Sequence, residues 1–231
     1  MSDAAGNAPG PRTPVPVRAL RLGFAVLGVV AILWLPVREA GQPDFDLVSY
    51  FSYFTVLSNV MAVIVLAVGA LGDPQGRRWQ LFRGAVTVYM VITGIVYAVL
   101  LSNVDVGGQG TWTNEVVHRI LPLVLFLDWV VFPSFRRIGD AQAVTWLWFP
   151  AVYGVYTLIR GPIVDWYPYP FIDPRAQGYL QMAIGLVVLV VAFVSICLAV
   201  DVAGRWGRRW RYGEPDRGLA VVSDVERKAE R

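Results

Sequence analysis

Six stretches of mostly apolar residues, each roughly 18 to 25 long, constrain this chain more than any other feature. They run from about Val17 to Val37, Asp46 to Leu71, Arg83 to Asn103, Asn114 to Phe132, Ala143 to Arg160 and Gly178 to Asp201. A helix rises ~1.5 Å per residue, so about 20 residues cross the ~30 Å hydrocarbon core of a bilayer. Lipid offers backbone N–H and C=O groups no partner, and a helix satisfies them within one segment. The pattern predicts an all-α fold: a polytopic membrane bundle of six transmembrane helices. The apolar share, 56% of 231 residues, exceeds that of an ordinary soluble domain and is concentrated in these runs.

What lies between the runs is short. Gly72-Asp73-Pro74 reads as a turn, Gly107, Gly108 and Gly110 loosen the third link, and Phe132-Pro133 closes the fourth run. Pro162, Pro168, Pro170 and Pro174 punctuate the link into the last run. Residues 1–16, with four prolines, read as a disordered N-terminal tail, residues 17–203 as the transmembrane domain, and residues 204–231 as a basic, then polar, cytoplasmic tail. The first run is long enough to span and lacks a small-residue cleavage site, so no cleavable signal peptide is expected.

Arginine placement sets the expected orientation. Arg12, Arg18 and Arg21 flank the first run, Arg77, Arg78 and Arg83 precede the third, and Arg136 and Arg137 follow the fourth. Arg205, Arg208, Arg209 and Arg211 follow the sixth. The opposite links hold Arg38, Arg119, Arg160 and Arg175 among the acids Glu39, Asp44, Asp46, Asp105, Glu115, Asp165 and Asp173. The alternation puts both termini in the cytoplasm and the chain in the cell (inner) membrane as a multi-pass protein. Arg205 to Tyr212 is basic and aromatic, which suits a lipid interface.

Polar residues inside the runs carry the functional reading. If the second run is one helix, Ser52, Thr55 and Asn59 share a face, at i, i+3 and i+7. The chain has one histidine, His118, in the fourth run. Thr55 falls roughly 10 to 14 Å and His118 roughly 6 Å in from the same side, so adjacent helices bring them within reach. A threonine hydroxyl is a weak nucleophile that needs a base, and a neutral imidazole is one. Asn114 or Glu115, four and three residues before His118, could hold its second ring nitrogen, and Asn59 could donate to an oxyanion. The plainer alternatives are a Thr55 hydroxyl bonded back to the Phe51 carbonyl and a histidine that only bridges helices. Asp128 lies ten residues beyond His118 and is expected to pair with Arg83, Arg136 or Arg137. Arg160 is expected to pair with Asp165 or another acid, and Arg119 to snorkel outward.

One histidine and one cysteine make no metal set, and no phosphate loop, haem motif or dinucleotide fingerprint is present, so neither metal nor cofactor is expected. Cys197 is the sole cysteine, which excludes an intramolecular disulfide. The arginines mark membrane edges and no nucleic-acid face. The expected partners are membrane lipids, and the sequence leaves the oligomeric state open.

Three blocks, YFTVLSN in the second run, VVHRILPLVLFLDW in the fourth and GPIVDWYPYPFIDPRAQGY before the sixth, resemble the bacterial six-span membrane proteins called Pr6Pr. These are distantly similar to the androgen-induced and androgen-dependent lipid hydrolases of animals. The resemblance spans about Arg18 to Asp201. It implies a threonine hydrolase of fatty acid esters of hydroxy fatty acids, with Thr55 as nucleophile and His118 as its partner. The interval between the two is shorter than in the animal proteins. Without catalysis, the same polar stripes would suit a lipid-binding or solute-transporting bundle. Tyr167 to Pro170, YPYP, reads as a stiff segment at the mouth of the bundle, either an interfacial aromatic belt or a lid.

Overall fold

The computed structural model describes residues 12–102, 111–134 and 143–213, and every regular element among them is helical. The glycine-rich third link, Arg136, Arg137 and the ends of both tails lie outside the described residues.

Helix α1 spans Val15–Arg38, entered through Pro14 and Pro16, whose fixed φ suits a first helical turn. The second run forms two helices, α2 (Leu47–Tyr50) and α3 (Phe54–Leu71). Next come α4 (Arg77–Val96), continued by a π-helical turn at Tyr97–Leu101, and α5 (Trp112–Glu115). A π-helical turn at Val116–Ile120 joins α5 to α6 (Leu121–Val131). A 3₁₀ turn, Val144–Leu147, leads into α7 (Trp148–Val164). The following link holds a second 3₁₀ turn, Pro170–Ile172, and the short α8 (Pro174–Gln177), before α9 (Tyr179–Tyr212).

Among the described residues, four helical segments are long and apolar enough to cross a membrane: Val15–Arg38, Phe54–Leu71, Arg77–Leu101 and Tyr179–Tyr212. The fourth and fifth runs are assembled from shorter pieces. Helix α1 packs along α3, α3 on α4, and α4 on α6, while α9 lies against α4 and α6. Leu66, Val86, Met90, Leu121, Leu125 and Trp146 are fully buried between them. Val26, Val29, Val30 and Leu33 on α1, and Val187, Val188, Val190 and Val191 on α9, are bare. Exposed apolar stripes of that length are compatible with a membrane setting.

At the arginine-rich end a buried ion cluster ties four segments together. Asp128 on α6 takes Arg21 of α1 at 2.8 Å and Arg83 of α4 at 2.9 Å. Arg83 also donates to the carbonyls of Asp128 and Phe132. Arg21 reaches Asp73, which in turn accepts from the Thr13 amide and hydroxyl. With two guanidiniums set against two carboxylates, the cluster leaves few lone pairs idle, the condition under which buried charge is tolerable.

Two expectations are corrected here. The last run does not end near Asp201: α9 continues without a break through the Arg205–Tyr212 segment to Gly213. Close approach makes room for it. A Cβ on Gly207 would strike the Val130 carbonyl, and one on Gly204 the Trp129 indole. The second run is not one helix. It breaks at Phe51-Ser52-Tyr53, a stretch with neither glycine nor proline.

Candidate active site

The break before α3 is made by partners distant in sequence. Tyr153 of α7 donates its hydroxyl to the Ser52 carbonyl at 2.9 Å and accepts from the Phe54 amide at 3.1 Å. Tyr50 donates to the Ile32 carbonyl of α1 at 2.6 Å. Each backbone group released by the break must find a partner, and the Tyr153 phenol serves two of them, the Ser52 carbonyl and the Phe54 amide. Ser52 therefore leaves the Thr55 face: its hydroxyl donates back to the Val48 carbonyl and meets Tyr156.

Starting α3 at Phe54 places Thr55 in its first turn. Its hydroxyl does not bond back to Phe51, since the break removes the helical geometry that bond needs. It meets His118 Nε2 at 3.3 Å and the Tyr169 hydroxyl at 3.5 Å. The Thr55 amide donates to the same Tyr169 hydroxyl at 3.4 Å.

His118 is delivered by the π-helical turn. Pro122 has no N–H, and its ring crowds the carbonyl four residues earlier. The Leu121 amide reaches back five residues to the Val116 carbonyl, which leaves the Val117 carbonyl without a helical donor. Asn59 fills that gap. Its amide nitrogen donates to the Val117 carbonyl at 3.1 Å and to the Thr55 carbonyl at 2.8 Å. Both amide hydrogens are then used, so Asn59 braces the Thr55 helix against the His118 segment and has no hydrogen left for an oxyanion. Its Oδ1 is buried without a partner among the described residues.

The second ring nitrogen, His118 Nδ1, lies 3.3 Å from the Asn114 carbonyl. A carbonyl only accepts, so Nδ1 carries the proton and, in a neutral ring, Nε2 presents its lone pair to Thr55. The Asn114 side chain instead donates to the Tyr97 hydroxyl at 2.6 Å. Glu115 pairs with Arg119 at 2.7 Å and is not the group that holds His118 Nδ1; Arg119 in turn lies over the Tyr97 ring. Arg160 approaches Asp46 and Ser49 and lies over Trp166, not against Asp165. Asp128 belongs to the ion cluster at the other end of the bundle.

Thr55 sits on the wall of an apolar cavity of about 360 Å³ between α4, α7 and α9. Val155 and Val190, on its rim, are largely exposed, so the cavity opens between α7 and α9 toward the apolar outer surface. The link from Asp165 to Gly178 folds over one end of it. Tyr169 turns inward and is buried, stacked on Phe171 at 5.2 Å and edge-on to Tyr53 at 5.8 Å. Burial pushes its phenol up, so it remains protonated. Arg175 pairs with Asp165 and Asp173 and lies over Tyr167, pinning the link's outer side. Its guanidinium holds the Asp173 carboxyl below the usual range.

Sequence reasoning paired Thr55 with His118 but assigned no role at the site to Tyr169, Tyr97 or Pro122. The proline was the legible signal, since Pro122 follows His118 by four residues and must disturb the helix that carries it. No family model, curated protein or solved structure matches this chain.

Proposed function

We propose that the protein is a membrane-embedded hydrolase of long-chain fatty acid esters, of the branched kind that the Pr6Pr resemblance implies. One observation carries the reading: the Thr55 hydroxyl lies 3.3 Å from a histidine nitrogen whose tautomer makes it an acceptor, on the wall of an acyl-sized apolar cavity. In this reading the chain crosses the inner membrane six times, the fourth and fifth spans being α5–α6 and the 3₁₀–α7 segment. The arginine-rich end, which carries both termini, faces the cytoplasm.

The chemistry is acyl transfer. His118 Nε2 takes the Thr55 proton as Oγ1 bonds to the ester carbonyl carbon. The tetrahedral intermediate collapses, the bond to the alcohol oxygen breaks, and that oxygen leaves with the proton from Nε2. Water then gives a proton to Nε2 and attacks the acyl carbonyl, and Oγ1 recovers its proton as the acid departs. The hydrogen bond from Nδ1 to the Asn114 carbonyl holds the ring in the required tautomer throughout. The cavity receives the acyl chain from the bilayer.

The test is hydrolysis of fatty acid esters of hydroxy fatty acids by the full chain in nanodiscs. Thr55→Ala and His118→Ala are each expected to lower the rate by about 10³-fold or more. Full activity in either variant removes the mechanism. A lipid-binding protein without catalysis is the second reading, favoured by the nearly unbroken apolar cavity lining. It predicts fatty acid binding in the absence of turnover, unchanged by Thr55→Ala.

A further inference from the structure

We propose that the Tyr169 hydroxyl and the Thr55 backbone N–H are the two donors that hold the carbonyl oxygen of an ester under attack by Thr55. The assignment rests on the hydrolase reading above and makes Tyr169 a catalytic residue.

Two phenols cover the start of α3, and they are not equivalent. The Tyr153 hydroxyl is committed on both sides, accepting from the Phe54 amide at 3.1 Å and donating to the Ser52 carbonyl at 2.9 Å. The Tyr169 hydroxyl accepts from the Thr55 amide at 3.4 Å and lies 3.5 Å from Thr55 Oγ1, with the Tyr153 phenol also beside it. Both contacts are longer than well-formed hydrogen bonds of their type. The Thr55 amide, in the first turn, has no helical acceptor to return to. Thus an N–H and an O–H lie beside the attacking oxygen, each held only loosely.

The cavity supplies the approach. Thr55 and Tyr169 both line it, so an ester carbonyl entering from the acyl side meets both donors at once. Thr93, on the same wall, is 3% exposed, and its Oγ1 has no partner among the described residues. A buried hydroxyl without a partner marks a place where a ligand's polar atom completes the site. Asn59, the other candidate donor, has spent both amide hydrogens.

As Oγ1 bonds to the carbonyl carbon, its proton passes to His118 Nε2 and the carbonyl π pair moves onto oxygen. Tyr169 O–H and Thr55 N–H donate hydrogen bonds to that oxygen, and neither gives up its proton. When the intermediate collapses, the pair returns to the carbonyl, and the two donors fall back to their long resting contact.

Two measurements on the full chain in nanodiscs test this: hydrolysis of a long-chain p-nitrophenyl ester, and ¹⁹F NMR of the hemiketal that an alkyl trifluoromethyl ketone forms with Thr55. Tyr169→Phe is expected to lower kcat about 10²-fold with KM little changed. It should weaken the hemiketal by about 10- to 100-fold. Placing 4-aminophenylalanine at 169 keeps a donor at the ring's far end and should restore part of both. A wild-type rate and affinity in Tyr169→Phe overturns the donor assignment while leaving Thr55 and His118 in place. Equal losses in the phenylalanine and aminophenylalanine variants also overturn it, because the ring's packing would then be the cause. Absence of any hemiketal on wild type, or one untouched by Thr55→Ala, removes the hydrolase reading and this assignment with it.

Discussion

Tyr97 and His118 lie face to face, ring centroids 4.2 Å apart and planes 19° from parallel. Asn114 holds both, its carbonyl taking the His118 Nδ1 proton and its side chain donating to the Tyr97 hydroxyl. The imidazole is thus fixed in angle by a hydrogen bond and in tilt by a ring. Such a stack contributes about 0.5–1.5 kcal/mol beyond burial. Tyr97→Ala frees the imidazole to swing and is expected to cost about tenfold or more in ester hydrolysis, as misplacement of a reacting group does. Tyr97→Phe keeps the stack and should lose less. Steady-state rates of the two variants, compared per folded protein, decide it; equal rates would show that the stack does not orient the base.

The ion cluster makes a prediction about stability alone. Asp128→Ala strips the shared carboxylate from Arg21 and Arg83 and leaves two buried guanidiniums facing each other. Breaking a buried pair in this way costs about 3–5 kcal/mol. Thermal unfolding in detergent should show a large drop in midpoint. Asp128 lies on the order of 15 Å along the helix from His118, so the rate per folded molecule should hold. A loss of activity without a loss of stability would connect the cluster to the chemistry.

Gly207 tests how closely α9 must approach α6. A Cβ there meets the Val130 carbonyl, a backbone atom that cannot step aside. Gly207→Ala is expected to destabilise by about 1–3 kcal/mol through overpacking. Gly154 in α7 has nothing within 4 Å of its virtual Cβ. Gly154→Ala should be neutral or stabilising by up to about 1 kcal/mol. Paired melting curves separate the two, and a silent Gly207→Ala would mean that α9 slides freely.

Composition and run length alone were enough to indicate an all-helical chain with long apolar helices of membrane-crossing length, because a bilayer admits few other solutions. The sequence also carried the candidate pair. The chain has one histidine, and Thr55, one of several hydroxyls early in the second run, enters from the same side; the family resemblance singled it out. Arg83 was one of three cations the sequence offered Asp128, since a buried carboxylate must meet a cation, but Arg21 was not among them.

Tertiary structure decided the rest. No local signal marks the break at Phe51-Ser52-Tyr53; it forms because Tyr153 satisfies the backbone groups it exposes from about a hundred residues away, as long-range packing overrides propensity. That break moved Ser52 off the shared face and freed the Thr55 hydroxyl from Phe51. The π turn before Pro122 rotated His118 and opened the Val117 carbonyl that Asn59 now fills. Tyr169 became a neighbour of Thr55 only because a link of prolines and aromatics folds inward. Sequence records which polar groups a buried helix must satisfy, and only the packed chain chooses the partner for each.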